Sequence, residues 1–174
     1  MKKLMLFVIL ALSSLNAFAV EKGEKAPDFK VYTTRMQPFG LDQLMNNKTV
    51  LAFVPGAFTG VCTKEICSFR DDLKAFEELD ADIAVVTTDS PFANAAWATE
   101  HEVTFPILAD VSKETVKAFD VFYENFAGIQ GFTVPKRAIF IIDEQGMVEY
   151  KWVAENPGLE PPYDEIKKAL SEMN

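Results

Sequence analysis

The sequence has 174 residues, 49% of them hydrophobic, and its 17 basic and 26 acidic residues give a formal net charge of −9. No basic patch is evident in the sequence, which argues against nucleic acid or an anionic membrane surface as a partner. The length suits one domain with a single hydrophobic core, and no internal repeat or linker divides it.

The first 19 residues have the features of a signal peptide. Lys2 and Lys3 give a positive start, residues 4–12 are all apolar, and residues 17–19 have the small-x-small form of a cleavage site. The apolar run is short for a membrane span, which takes about 20 residues, and an uncleaved anchor is the alternative. We therefore expect cleavage before Val20, a mature domain at residues 20–174 without stable membrane insertion, and a periplasmic or secreted location.

The rest of the chain alternates apolar strands with helices. Strands are predicted at residues 29–32, 49–54, 83–86, 105–109, 138–142 and 148–152. Helices are predicted after Cys62, from Ser90 and Pro91 onward, over residues 112–119, and around Ile166, Leu170 and Met173. This order predicts an α/β domain with three layers, α/β/α, around a mixed central sheet. The long irregular segment 123–136 is expected to be functional, because such loops in compact domains are seldom idle.

The most informative stretch lies between the strand at 49–54 and the helix that follows it. Apolar residues at steps of three, four and three predict one helix through Ile66, Phe69, Leu73 and Phe76, so the loop delivers Cys62 to a first helical turn. Free backbone N–H groups and the helix dipole favour an anion at that place. Because only the thiolate is a competent nucleophile, the position suits a reactive cysteine.

The same residues also allow less specific interpretations. Cys62 lies four residues before Ile66 on the apolar stripe, as a small buried cysteine would. Arg137, at the start of an apolar strand, could be a solvated strand end or half of a salt bridge. His101 is the single histidine, so an exposed helix-end role is favoured over catalysis, and the case for a zinc site is weak.

Several of these residues together resemble the active site of the peroxiredoxins. The pattern PxxxTxxC is matched by Pro55, Thr59 and Cys62, Glu65 matches an acidic residue often found after it, and Arg137 matches the second catalytic residue. Similar segments occur around Trp97 and at residues 105–110 and 125–129, and they favour the PrxQ-like (bacterioferritin comigratory protein) and AhpE-like branches. The resemblance implies a thioredoxin-like fold.

The resemblance also implies a reaction and its residues. The Cys62 thiolate would attack a hydroperoxide and become a sulfenic acid, without a metal or an organic cofactor. Thr59, Arg137 and the backbone N–H groups around Val61 and Cys62 would stabilise charge on the departing oxygen. Pro55 would stiffen the loop, and Glu65 would support the pocket, although surface ion pairing explains Glu65 and Arg70 equally well.

Cys67 matches the position of the resolving cysteine in the PrxQ-like branch. An ideal helix would place the Cα atoms of Cys62 and Cys67 about 8.7 Å apart, whereas a disulfide needs less than about 7 Å. If the two residues bond, the first turns of the helix must unwind. The alternative is that Cys67 is a spectator and an outside thiol resolves Cys62.

The partners implied by the resemblance are a hydroperoxide substrate and a thioredoxin-like or other thiol reductant, with the protein acting as a monomer or homodimer. A thiol-disulfide exchange protein or a chaperone-like module of the same fold is the alternative from another class. The usual CxxC spacing of exchange proteins is absent, because four residues separate the two cysteines.

Overall fold

The computed structural model describes residues 19–173, and most of the predicted signal peptide lies outside them. Within that range seven strands form one mixed sheet in the order β2-β1-β5-β4-β3-β8-β9. Its strands are β1 (Lys30–Thr33), β2 (Pro38–Gly40), β3 (Lys48–Phe53), β4 (Ala81–Thr87), β5 (Ile107–Ala109), β8 (Ala138–Ile142) and β9 (Val148–Val153). A separate ribbon pairs β6 (Phe122–Tyr123) with β7 (Val134–Pro135).

Helices cover both faces of the sheet. They are α1 (Leu41–Leu44), α2 (Gly60–Asp71), α3 (Leu73–Glu77), α4 (Pro91–Glu100), α5 (Glu114–Ala118) and α6 (Tyr163–Glu172). Buried side chains of α2, α3, α4 and α6 pack on one face, and those of α1 and α5 pack on the other. The predicted three-layer α/β/α architecture with a mixed central sheet is therefore confirmed.

Strand β3 is an interior strand of the sheet, between β4 and β8, and all six of its residues are buried. Its side chains alternate between the two cores: Val50 and Ala52 face the α2 side, and Leu51 and Phe53 face the α1 side. It runs parallel to β4 and antiparallel to β8. The residues that follow β3 and those that precede β8 consequently meet at one edge of the sheet.

Several predicted boundaries differ from the structure. The helix predicted through Phe76 is interrupted at Asp72, so Leu73 and Phe76 belong to the separate helix α3. The strand predicted at 105–109 begins only at Ile107, because Pro106 lacks the N–H that a ladder needs. The short elements β2 and α1 were not predicted, and the segment predicted to be irregular contains the β6–β7 ribbon and a 3₁₀ turn, Phe126–Gly128.

No helix among residues 19–173 is long and apolar enough to cross a membrane. Val20 is only 5% exposed and packs in the core on the α1 side. The Gly23 N–H donates to the carbonyl of Val148 at 2.7 Å, which ties this entry segment to β9. Val20 is therefore part of the folded domain.

Candidate active site

Cys62 is the third residue of α2, and its side chain is 1% exposed. The first backbone bond of the helix runs from the Thr63 N–H to the Thr59 carbonyl at 2.9 Å. In the described part of the chain, the N–H groups of Val61 and Cys62 have no hydrogen-bond acceptor. These free donors and the positive end of the helix dipole favour negative charge beside the sulfur, as the sequence predicted.

Arg137 lies next to Cys62 and directly precedes β8, the strand that pairs with β3 on the side away from β4. Phe53, the last residue of β3, pairs with Ala138, the first residue of β8, so Arg137 lies beside the start of the loop that leads to Cys62. The Arg137 carbonyl accepts a hydrogen bond from the Ala154 N–H at 2.9 Å, which fixes its backbone to the end of β9. Antiparallel pairing of these strands explains how residues 75 positions apart become neighbours.

The Arg137 guanidinium makes three polar contacts that together orient it. Its Nη2 lies 3.4 Å from the Cys62 Sγ and donates to the Pro157 carbonyl at 2.9 Å. Its Nη1 forms an ion pair with the Glu65 carboxylate. Arg137 is 1% exposed, so it is not a solvated strand end, whereas the salt bridge considered as its other alternative is present with Glu65. The rigid fork of an arginine serves all three partners at once.

Burial shapes the electrostatics of this pair. Desolvation of the fully buried carboxyl group raises the pKa of Glu65 from 4.5 to about 7, against the opposing effect of Arg137. Burial lowers the pKa of Arg137, but the nearby Glu65 and Cys62 raise it by more. The pKa of Arg137 is therefore above its ordinary value. Arg137 therefore remains a cation beside the sulfur. The interpretation of Glu65 as a surface residue was wrong.

The loop between β3 and α2 holds Pro55 and Thr59. Pro55 is half-buried and directly follows the last buried residue of the strand segment, Val54. Thr59 is the residue that caps α2, but its side chain makes no capping hydrogen bond. Its hydroxyl donates to the Gly56 carbonyl at 3.1 Å. Because a hydroxyl has one proton, the Thr59 proton is not directed at the sulfur, and its oxygen remains available as an acceptor.

Cys67 lies in the same continuous helix as Cys62, is half-buried, and packs at the edge of the α2-side core. Both thiols are free and are not near each other. Both residues lie within the unbroken helix Gly60–Asp71, as the ideal-helix argument assumes. The structure therefore does not bring together the two sulfurs of the predicted disulfide.

Two other residues considered from the sequence, Arg70 and His101, make contacts that do not involve Cys62 or Arg137. Arg70 pairs with Asp71 at the surface and donates to the His101 carbonyl at 2.7 Å. His101 is the C-terminal cap residue of α4, in agreement with a helix-end role. Among residues 19–173, no group of three potential ligand residues is placed to hold a metal.

Sequence reasoning missed two residues that contact this site. The Pro157 carbonyl binds Arg137, and the Asp89 carboxylate accepts a hydrogen bond from the Ala57 N–H at 2.8 Å. A backbone carbonyl has no sequence signal. Asp89 had one, because an acidic residue that follows a buried strand parallel to β3 must lie at the same sheet edge as Cys62.

Comparison with known proteins identifies the family. The AhpC/TSA family profile matches residues 22–151. The chain belongs to the AhpC/TSA family. It is 33% identical over 146 residues to a chloroplastic 2-cysteine peroxiredoxin of Chattonella marina var. antiqua, covering 78% of this chain and 71% of that relative. It is 32% identical over 139 residues to peroxiredoxin Bcp of Bacillus subtilis (strain 168), covering 76% and 85%.

A solved structure agrees with this family. The crystal structure of peroxidoxin BcpB from Mycobacterium tuberculosis superposes with a TM-score of 0.79 at 28% identity, and the match covers 88% of this chain and 97% of that one. The resemblance to peroxiredoxins and the thioredoxin-like fold are therefore confirmed, and the match to Bcp proteins is consistent with the PrxQ-like branch. The chain is a thiol-dependent peroxidase by family.

Proposed function

We propose that the chain is an exported peroxidase in which Cys62 reduces hydroperoxides and is then resolved by Cys67. The contact between the Arg137 guanidinium and the Cys62 Sγ, at 3.4 Å and at the free N-terminal end of α2, carries this proposal. A buried sulfur beside a permanent cation and unbonded N–H groups is the arrangement that a thiolate nucleophile needs.

The reaction begins when the Cys62 thiolate attacks the terminal oxygen of a hydroperoxide. A sulfur-oxygen bond forms, the oxygen-oxygen bond breaks, and its electron pair leaves with the other oxygen, which takes up a proton as water or an alcohol. The sulfur is oxidised by two electrons to a sulfenic acid. Arg137 and the N–H groups of Val61 and Cys62 stabilise the charge on the departing oxygen. Thr59 accepts a hydrogen bond from the O–H of the incoming hydroperoxide, and that proton stays on the oxygen that becomes the sulfenic acid.

Resolution joins Cys67 to the sulfenic acid. The Cys67 thiol displaces the hydroxyl from the Cys62 sulfur, which forms a disulfide and releases one water molecule. Because both residues lie in the regular helix α2, its first turns must unwind for the sulfurs to meet. Two electrons from a thioredoxin-like or other thiol donor outside the cytoplasm then return both sulfurs to thiols.

Mass spectrometry and hydrogen exchange test this resolution step. After one equivalent of peroxide, we expect a disulfide joining Cys62 to Cys67 and faster amide exchange in the first turns of α2. Cys67→Ser should stop at the sulfenic acid under the same treatment. A persistent sulfenic acid in the unmodified protein, with identical exchange before and after oxidation, would contradict resolution by Cys67 and favour an external thiol.

Export rests on the predicted signal peptide and on the packing of Val20. Cleavage before Val20 would keep this buried residue in the mature domain. Expression in a bacterium with a periplasm should give a periplasmic product whose first residue is Val20. A cytoplasmic product that retains Lys2 and Lys3 would contradict export.

Peroxide kinetics separate the peroxidase from a thiol-disulfide exchange protein. Stopped-flow mixing with hydrogen peroxide should show fast oxidation that disappears in Cys62→Ser and persists for one turnover in Cys67→Ser. An exchange protein would react slowly with peroxide and would reduce insulin disulfides. Slow peroxide reaction together with insulin reduction would therefore overturn the proposed peroxidase.

A further inference from the structure

The loop that carries Thr59 is attached to the neighbouring strand by one side chain. Asp89 lies two residues after the end of β4, and its Oδ2 accepts a hydrogen bond from the Ala57 N–H at 2.8 Å. β3 and β4 are parallel neighbours, and their pairing continues beyond β3 because the Val54 N–H donates to the Val86 carbonyl at 3.0 Å. The segments after the two strands therefore run side by side into the site.

The bond to Asp89 fixes one peptide group from both sides. The Ala57 N–H and the Gly56 carbonyl belong to the same peptide plane. The N–H donates to Asp89, while the carbonyl accepts the Thr59 hydroxyl proton at 3.1 Å. Rotation of this peptide would break both hydrogen bonds together. The orientation of Asp89 thus decides where the Thr59 oxygen points.

Asp89 is itself held by a buried polar network. Its N–H donates to the Thr87 hydroxyl oxygen at 3.0 Å, and the Thr87 hydroxyl donates to the Asn94 Oδ1 at 3.0 Å. Thr87 and Asn94 are fully buried, and Asn94 belongs to α4. Buried, hydrogen-bonded groups of this kind are rigid and specify one arrangement. The backbone of Asp89 is therefore held in place, which limits the positions that its carboxylate can take.

We propose that Asp89 is a positioning residue for the peroxidase reaction, acting through the Gly56–Ala57 peptide on Thr59. This inference rests on the proposed function. With its proton donated to Gly56, the Thr59 hydroxyl offers only lone pairs to the substrate, so it accepts a hydrogen bond from the hydroperoxide O–H and aligns the oxygen-oxygen bond with the sulfur. Without Asp89 the peptide is free to turn, and Thr59 loses that orientation.

The test compares peroxide reaction with alkylation in the full chain carrying Cys67→Ser, so that Cys62 is the single thiol. Asp89→Ala should lower the second-order rate constant with hydrogen peroxide by about 10- to 100-fold, the size of effect that follows a small misplacement near a reacting centre. Alkylation of Cys62 by iodoacetamide should not change, because displacement of iodide at a CH2 carbon does not need a hydroperoxide O–H held by Thr59. Asp89→Asn keeps an acceptor for the Ala57 N–H and should restore most of the rate.

Two controls separate positioning from a general loss of structure. Asp82→Asn changes an exposed carboxylate at the other end of β4 and should leave both rates unchanged. Asp89→Ala should add little to Thr59→Val, because the two residues act on one step. Amide exchange at Ala57 should be faster in Asp89→Ala and close to the parent in Asp89→Asn.

An active parent whose peroxide rate is unaffected by Asp89→Ala would overturn the role of Asp89 and leave the peroxidase intact. Equal losses of peroxide reaction and alkylation would overturn positioning through Thr59, since the defect would then lie in Cys62 itself. A parent that does not consume peroxide would overturn the proposed function, and the positioning role with it.

Discussion

Glu65 and Arg137 form an ion pair in which both side chains are buried, although they are 72 positions apart in the sequence. The Arg137 Nη1 contacts Glu65, which leaves Nη2 for the Cys62 sulfur and the Pro157 carbonyl. Within the described range, the Glu65 Oε1 and the Arg137 Nε have no hydrogen-bond partner. The ion pair therefore directs the guanidinium towards the Cys62 sulfur, although it leaves two buried polar atoms without a hydrogen bond.

Arg137→Lys should lower kcat/KM for hydrogen peroxide by about 100-fold or more, the usual cost of removing one donor that stabilises transition-state charge. A lysine keeps the positive charge but cannot serve the sulfur, Glu65 and Pro157 together. Steady-state kinetics measure the effect. Arg35→Lys, at an exposed turn, is the matched control and should be indistinguishable from the unmodified protein. An active Arg137→Lys variant would show that charge alone suffices.

Glu65→Gln should change how stability depends on pH. The pKa of Glu65 is raised in the folded protein from 4.5 to about 7, so the folded state binds this proton more tightly than the unfolded state does. The resulting contribution to the free energy of unfolding is fully present below pH 4.5 and is lost as pH rises through about 7. Its full size is about 3 kcal/mol for a completely buried group.

Urea unfolding of the unmodified protein and of Glu65→Gln, compared across that pH window, checks this expectation. The stability of the unmodified protein relative to the variant should fall as pH rises, because only the unmodified protein must ionise a buried carboxyl group. Parallel stability curves would mean that the Glu65 pKa is close to its ordinary value.

Thr63→Val should destabilise the fold by about 1–3 kcal/mol, the cost of leaving a buried donor without its partner. The indole Nε1–H of Trp97, a fully buried residue of α4, donates to the Thr63 hydroxyl at 3.1 Å. Thr99→Val is the control, because the Thr99 hydroxyl donates to the Ala95 carbonyl on an exposed helix face. Chemical denaturation should give Thr63→Val a clearly lower free energy of unfolding than Thr99→Val. Equal free energies of unfolding would show that the Trp97–Thr63 hydrogen bond does not stabilise the fold.

The sequence predicted the parts of the site that depend on local pattern. An apolar strand, a loop and an amphipathic helix placed Cys62 in a first helical turn, and the structure agrees. The same periodicity failed at Asp72, because apolar spacing continues through Leu73 and Phe76 while the backbone leaves the helix. Periodicity reports which side chains are buried, and it does not report where the hydrogen-bond ladder breaks.

The parts that depend on tertiary pairing could not be read from the residues alone. Only the resemblance linked Arg137 to Cys62, because the contact requires β8 to pair with β3. The burial of Glu65 follows from that contact, since its helical position alone is equally suited to the surface. The Asp89 contact also depends on pairing, of β4 with β3, but here the sequence carried a signal, an acidic residue that follows a second buried strand.

The central claim is that the Cys62 sulfur cleaves the oxygen-oxygen bond of a hydroperoxide. Its most direct test adds one equivalent of hydrogen peroxide to Cys67→Ser and to Cys62→Ser. The loss of peroxide is measured in solution, and the mass gained by each protein is measured by intact-protein mass spectrometry. The account predicts that Cys67→Ser consumes the peroxide and gains one oxygen atom on Cys62, while Cys62→Ser leaves the peroxide unreacted. Equal consumption by both variants, or oxygen gained on Cys67 instead, would contradict it.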